Sequence, residues 1–316
     1  MTANITSDTW IRIVAELSEC LKAPSEAIPN VRWMSGTRLR KLLVDIRNKA
    51  NAPKHESGTK LLSLLIDSKL VWPLPPDDFS DCGKPCAIYA LKFSGTPSIS
   101  PIELLQATQP SYHHTVICYF TALAHHELTT QDAPHHHVAV LRTPPKPLRP
   151  ESATPPPASA ENAVGEPKLG SLLFHYQTIP YYMTQRDPAL LPGIQTVRLS
   201  PSCMIRMTTL EQTLLDTLHK PWRCGGPSVV FEAWERGVPL LDENRLAHYL
   251  TLIGRTDFIR RAGYMLEQSD HATSDSALRA LLADAKDKVK TGHVPTIPLL
   301  PDVPATRHNP TWGLDT

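Results

Sequence analysis

Several features that would assign an enzymatic or membrane class are missing from this sequence. No apolar run approaches the roughly 20 residues that a transmembrane helix needs. The glycines form neither a phosphate-binding loop nor a dinucleotide-binding fingerprint, and no GxSxG or HExxH motif occurs. The N-terminus lacks the pattern of a signal peptide, and the six cysteines are too scattered for a disulfide framework. We therefore expect a cytoplasmic protein that is not an enzyme, with no catalytic residue, cofactor or membrane contact.

Net charge is also nearly absent, but its distribution is uneven. The chain has 32 basic and 31 acidic residues, a net charge of +1. Residues 31–60 alone contain eight basic and two acidic residues, a local net charge of +6. DNA phosphates attract such a cluster, and the release of counterions favours binding. The alternative is a basic but merely solvated helix face.

The first 95 residues have the pattern of a winged helix-turn-helix domain. Apolar spacing predicts helices at 9–22, 37–49 and 57–67, then strands at 71–74 and 87–93. The polar turn at 75–84 would be the tip of the wing. In this fold the third helix enters the major groove, while the preceding helix and the wing contact the backbone. The predicted DNA-binding residues of this domain are Arg38, Arg40, Lys41, Arg47, Lys54, Ser57, Thr59, Lys60, Ser63 and Lys84.

Residues 96–290 predict a mixed α/β domain that ends in a helical bundle, so the fold class is α+β. Strands are predicted at 138–142, 172–178, 194–199 and 204–207. Helices are predicted at 102–107, 119–127, 209–219, 228–236, 243–253, 256–267 and 275–289. A proline-rich insertion at 143–168 contains eight prolines, too many for a packed core. A second proline-rich segment, 291–316, is predicted to be a tail.

Histidine is unusually dense in one part of the chain. Seven of the fourteen histidines lie between 113 and 137, and imidazole is a common zinc ligand. Adjacent histidines on a helix point in different directions, and Cys82 and Cys86 have no matching second pair. We therefore expect solvent-facing histidines and no metal site, with a zinc site that includes Cys118 as the alternative.

The segment 208–235 predicts two helices joined by a glycine turn. Thr208 and Glu211 have the spacing of a capping box, and leucines every four residues indicate an amphipathic helix. Pro221 and Gly225–Gly226 would end it. Glu211 and Asp216 are predicted to have capping and helix-surface roles, and Trp222 and Trp234 to be core or turn anchors.

The sequence of this segment resembles that of the C-terminal domain of the AbiEi family. These proteins are transcriptional-regulator antitoxins of bacterial type IV toxin–antitoxin and abortive-infection systems. The resemblance is carried by Glu211, Thr213–Asp216, Lys220–Pro221, Cys224–Gly226, Arg260–Glu267, Ala122–Gln131 and Cys86–Leu91. It covers about residues 85–290.

The resemblance implies a regulator that binds operator inverted repeats in double-stranded DNA and represses its own operon. It also implies a nucleotidyltransferase-like toxin as functional partner, without a stable complex, and a C-terminal domain that helps to contact DNA. On that basis Arg260 and Arg261 join the predicted DNA-binding residues, although helix-surface arginines without a ligand are an equal alternative. A rival function is a protein-interaction module that neutralises or recruits a partner through its helical C-terminal domain. A metal-dependent enzyme that uses the histidine cluster is a third reading.

Overall fold

Over the residues that the structure describes, the chain forms a mixed helix-and-sheet protein with three sheets, in agreement with the predicted α+β class. The computed structural model describes residues 7–22, 33–53, 56–73, 79–80, 88–91, 100–108, 115–142, 169–200 and 203–316. The predicted insertion at 143–168 lies outside these residues.

The N-terminal region combines three helices with a small antiparallel sheet. The helices are α1 (Ser7–Lys22), α2 (Gly36–Lys49) and α3 (Gly58–Asp67). The strands are β1 (Trp33–Ser35), β2 (Val71–Pro73), β3 (Phe79–Ser80) and β4 (Ile88–Leu91). Strands β1, β2 and β4 form one sheet with the order β1-β4-β2. The three helices and the two strands predicted here are confirmed, whereas β1 was not predicted.

Leucines at helical spacing hold these three helices together. Leu39 and Leu43 lie four residues apart on α2, as do Leu61 and Leu65 on α3, and all four are fully buried. Residues four apart share one helix face, so each helix presents a continuous apolar stripe to the other. A buried leucine contributes about 1.5–3 kcal/mol relative to an exposed one. This packing fixes the orientation of α2 and α3.

The central sheet has seven strands in the order β3-β7-β8-β6-β5-β10-β9. Its remaining strands are β5 (Thr115–Ile117), β6 (His136–Leu141), β7 (Ser171–Tyr176), β8 (Ile179–Arg186), β9 (Ile194–Ser200) and β10 (Cys203–Thr208). The pairs β6–β8 and β5–β10 are parallel, and the other pairs are antiparallel. Two helices, α4 (Pro101–Thr108) and α5 (Tyr119–His125), lie between its strands in the chain.

Part of the predicted wing tip belongs to the central sheet instead. Within the turn predicted at 75–84, Phe79 pairs with Tyr176 and Ser80 with His175, so β3 becomes the edge strand of the central sheet. The edge of β7 carries backbone groups that need partners, and β3 supplies them.

The C-terminal half is a bundle of five helices. They are α6 (Leu210–His219), α7 (Pro227–Gly237), α8 (Glu243–Ile253), α9 (Thr256–Gln268) and α10 (Ser276–Lys290). Each lies within about two residues of its predicted position. The segment 291–316 was predicted to be a tail, but it adds a small sheet of β11 (Ile297–Pro298), β12 (His308–Asn309) and β13 (Leu314–Asp315). Trp312 is fully buried in the core of the bundle, so this segment is part of the bundle's core.

The central sheet separates two apolar cores. Val138 of β6 belongs to a core that also contains Leu104 of α4 and Trp33 of β1. The next residue, Ala139, belongs to the core formed by the helical bundle. Successive side chains on a strand point to opposite faces. The sheet is therefore covered by the N-terminal region and α4 on one side and by the bundle on the other.

Helix α6 differs from its prediction in three ways. Its N-cap is Thr209, whose hydroxyl accepts the amide hydrogen of Gln212 at 3.3 Å, and the predicted cap Thr208 bonds to the Thr213 hydroxyl instead. All residues from 211 to 218 are buried, so the helix is not amphipathic. Asp216 was predicted on the helix surface but is fully buried. The reason is that α6 lies between the sheet and the other helices of the bundle.

Candidate nucleic-acid interface

Helix α2 presents basic side chains on the face opposite its leucines. Ser35 caps the helix, because its hydroxyl accepts the amide hydrogen of Arg38 at 3.4 Å. Arg40 and Lys41 are exposed, and Arg40 donates to the Thr37 hydroxyl at 3.5 Å. Arg38 is half-buried, and burial lowers the pKa of its guanidinium from the ordinary value. Of the predicted basic residues on α2, Arg40 and Lys41 are the most exposed.

Arg47 ties α2 to the loop before α3. Its guanidinium donates to the backbone carbonyl of Glu56 at 2.8 Å and to the side-chain oxygen of Asn48 at 2.9 and 3.2 Å. These bonds use several of the five donors of the guanidinium. Arg47 therefore has a positioning role in this structure, which sequence spacing could not distinguish from DNA contact.

Helix α3 begins at a close approach to α2. Ser57 is its N-cap, and the serine hydroxyl accepts the amide hydrogen of Lys60 at 3.2 Å, as predicted. A Cβ atom at Gly58 would lie 2.7 Å from the carbonyl oxygen of Arg40, so only glycine fits without displacement. The start of α3 therefore lies against the backbone of α2 at Arg40.

The exposed face of α3 carries small hydroxyl side chains. Thr59 and Ser63 are exposed and four residues apart, which places them on the same face. The Ser63 hydroxyl donates to the Thr59 carbonyl at 3.2 Å. The Lys60 ammonium group bonds to the buried carboxylate of Glu56 at 2.9 Å, with 39% of the lysine side chain exposed. Of the predicted set, Arg40, Lys41, Ser57, Thr59 and Ser63 are exposed, and the Arg40 backbone lies against the start of α3. Lys54 and Lys84 lie outside the described residues.

The prediction that Arg260 contacts DNA is wrong, because its side chain is inside the protein. Only 2% of Arg260 is exposed. Its guanidinium donates to the backbone carbonyls of Trp312, Pro295 and Gly313. This arginine fastens the C-terminal segment to α9.

Arg261 is buried in the same way, so its predicted DNA contact is also wrong. It is 6% exposed and donates to the carbonyls of Pro298 and Leu218 at 3.1 and 3.3 Å. The carboxylate of Asp257 lies 3.6 Å away on the same helix. Both arginines therefore satisfy backbone carbonyls inside the protein.

Three consecutive histidines were predicted to face solvent, but they are buried at the start of β6. His135 and His136 are 5% exposed and His137 is fully buried. Burial lowers the pKa of His136 to about 4 and that of His137 to about 3, so both imidazoles are neutral at pH 7. Among the described residues, no group of three or more His, Cys, Asp or Glu side chains could hold a metal ion. His113, His114, Cys82 and Cys86 lie outside them.

A buried ion pair that was not predicted joins the sheet to the bundle. Arg186 of β8 makes two bonds to the Asp216 carboxylate of α6, at 2.5 and 2.8 Å. The Arg186 guanidinium also lies 4.9 Å from the centre of the Tyr119 ring. Because the two partners are 30 residues apart in the chain, spacing alone could not pair them.

The polar groups around this ion pair are not activated for nucleophilic chemistry. Burial raises the pKa of the Cys118 thiol to about 12 and that of the Tyr119 phenol to about 12. The Cys118 thiol therefore stays protonated at pH 7, whereas the thiolate is the reactive form of cysteine.

The backbone of Tyr119 has a φ of 55°. A bulky residue adopts such a positive value only when the surrounding structure holds it there.

Comparisons with known proteins leave the family open. No protein-family model matches the chain, and no curated protein sequence matches it. The crystal structure of the RV2827C protein from Mycobacterium tuberculosis is similar at a TM-score of 0.49 and 15% identity. The similarity covers 99% of this chain and 92% of that chain. A likeness of this size says nothing about what either protein binds. Within the part of the chain that the structure describes, no helix is long and apolar enough to cross a bilayer.

Proposed function

We propose that the protein is a DNA-binding transcriptional regulator of the AbiEi antitoxin type, with a winged helix-turn-helix domain in its first 95 residues. The order α1-β1-α2-α3-β2-β4 and the sheet order β1-β4-β2 support this domain assignment. The observation that carries the proposal is the pairing of α2 and α3. An exposed basic segment of α2 lies beside the start of a helix whose exposed face carries hydroxyl groups.

The two helices would contact different parts of the DNA. Arg40 and Lys41 of α2 would contact phosphates, which sets affinity and register without reading sequence. Thr59 and Ser63 of α3 would face the major groove, where hydroxyl groups can bond to base edges. Ser57 and Gly58 would keep α3 at the required distance from α2.

The autorepressor and antitoxin roles rest on the AbiEi resemblance. The operator would be an inverted repeat upstream of the gene, and the functional partner a nucleotidyltransferase-like toxin encoded beside it. Co-expression with the product of such a neighbouring gene would test the antitoxin role. Restored growth supports it, and continued growth arrest removes it.

A gel-shift titration tests DNA binding directly. The probe is the upstream intergenic DNA, at a low and a moderate salt concentration, with the double variant Arg40→Ala and Lys41→Ala beside the wild type. We expect wild-type binding that weakens with salt, and weaker binding by the variant on every DNA sequence. The control variant, Lys290→Ala with Arg307→Ala, removes two exposed charges from the C-terminal region. No binding at low salt would remove the regulator proposal, and equal binding by both variants would exclude this α2 surface.

A further inference from the structure

A surface groove between two helices of the bundle has no role in the proposed DNA binding. It lies where α7 and α9 both end, and its volume is about 450 Å³. Its apolar wall is formed by Phe231, Trp234, Val238 and Met265. The polar residues of the rim include Glu235 and Asp270.

The groove is preformed and open to solvent. Phe231 is 44% exposed, which is unusual for a phenylalanine of a packed helix. Trp234 is fully buried at the base of the groove, and its indole N–H donates to the Thr217 hydroxyl at 3.0 Å. Met265 is only 2% exposed. Phe231 is therefore the accessible aromatic contact of the groove, and the buried Trp234 helps to fix the helix that carries it.

The apolar surface continues beyond the groove. Leu240, at the end of the short 3-10 helix 238–240, is 65% exposed and follows directly after the lining residue Pro239. Phe231 and Leu240 thus add exposed apolar surface beside the charged residues of the rim.

The charges around the groove define the partner. Glu235 and Asp270 are both exposed carboxylates at the rim. The C-terminal ends of α7 and α9 meet there, and a helix C-terminus carries partial negative charge. Both contributions favour a cation over an anion.

We propose that this groove binds a basic amphipathic segment of a partner protein, with an apolar side chain against Phe231 and Lys or Arg side chains at Glu235 and Asp270. The site is independent of α2 and α3. A failure of this proposal therefore leaves the DNA-binding proposal intact, and the reverse also holds.

Methionine methyl NMR of the full chain gives a local test. The chain has six methionines. Met265 lines the groove, while Met34 and Met207 are buried in other cores and report on the fold. The probe is a short amphipathic peptide of leucine and lysine, and its counterpart is the same peptide with glutamate in place of lysine. We expect a saturable shift of the Met265 methyl signal with the lysine peptide alone.

Two variants with matched controls separate the apolar and charged contributions. Phe231→Ala should weaken binding by about tenfold or more, as truncation of a central aromatic anchor does. Leu252→Ala, which truncates a 57% exposed leucine that does not line the groove, should leave affinity unchanged. Glu235→Gln with Asp270→Asn should weaken binding at low salt, and the difference should shrink as salt screens the charges. Asp287→Asn removes an exposed carboxylate on α10 that does not line the groove, so it should leave affinity unchanged.

Three results with the wild-type protein would overturn the proposal. The first is a Met265 signal that does not move with the lysine peptide, and the second is one that moves equally with the glutamate peptide. The third is a Met265 shift that depends on protein concentration without peptide, which would make a second copy of this chain the occupant. An unchanged affinity in Phe231→Ala, with Met34 and Met207 signals in place, would also contradict the assigned contact.

Discussion

Neutralising Asp216 should cost more stability than any surface substitution, because it leaves the Arg186 charge buried. The two side chains are 0% and 4% exposed, and two bonds of 2.5 and 2.8 Å join them. Burial alone would lower the pKa of Arg186, but the Asp216 carboxylate outweighs it and raises that pKa above the ordinary value. Asp216→Asn keeps the size of the side chain and removes its charge. Breaking a buried pair in this way costs about 3–5 kcal/mol.

Urea denaturation gives the free energy of unfolding for this comparison. The matched control is Asp284→Asn, which breaks the Lys288–Asp284 pair on α10, where the side chains are 44% and 56% exposed. An exposed pair contributes at most about 1 kcal/mol, so the control should unfold near the wild type. A typical domain is stable by only about 5–15 kcal/mol, and Asp216→Asn should therefore shift the midpoint strongly. If both variants lowered the free energy of unfolding by the same small amount, the Arg186–Asp216 pair would not stabilise the contact between the sheet and the bundle.

Three further substitutions test other parts of the structure. Burial lowers the pKa of His137 to about 3; the unfolded chain therefore binds a proton that the folded protein does not, and stability falls as the pH drops below about 6.5. At about 1.36 kcal/mol per pH unit, His137 should contribute a loss of about 2 kcal/mol in the free energy of unfolding at pH 5. Urea denaturation at pH 7 and pH 5 should show a drop in stability that is smaller by this amount in His137→Gln than in the wild type. Gly58→Ala places a Cβ atom 2.7 Å from the Arg40 carbonyl and should cost about 1–3 kcal/mol in thermal denaturation; an unchanged melting temperature would contradict this close approach. Arg260→Met leaves three backbone carbonyls without their donor and should cost about 3 kcal/mol or more without weakening DNA binding; the opposite pattern would restore its surface role.

Local sequence signals predicted the helices well, because their causes are local. Apolar spacing located α2 and α3, and the Ser57 cap was recognised from one side chain. Strand β8 was missed, although it is eight residues long. It follows a two-residue turn, Gln177 and Thr178, with φ values of 50° and 70°. Such hairpin turns usually carry asparagine or glycine, so this turn had no recognisable residue signature.

Burial was predicted less well, because it depends on distant partners. Arg260, His137 and Asp216 are polar, and polar residues are usually exposed. Each is buried here because a group far away in the chain bonds to it: the Trp312 carbonyl, the Leu169 carbonyl and the Arg186 guanidinium. Spacing within a helix or strand cannot reveal such partners. Sequence reasoning therefore found exposed side chains on α2 and α3, but it was wrong about the exposure of Arg260 and Arg261.

The salt dependence of DNA binding tests the central proposal most directly. Fluorescence anisotropy with the upstream DNA would give the association constant of the wild type and of the Arg40→Ala, Lys41→Ala variant over a range of salt concentrations. Each lost phosphate contact lowers the slope of log K against log salt by about 1. We predict a slope smaller by about 2 in this variant and unchanged in Arg260→Met. Equal slopes in the wild type and the α2 variant would show that these side chains do not contact DNA.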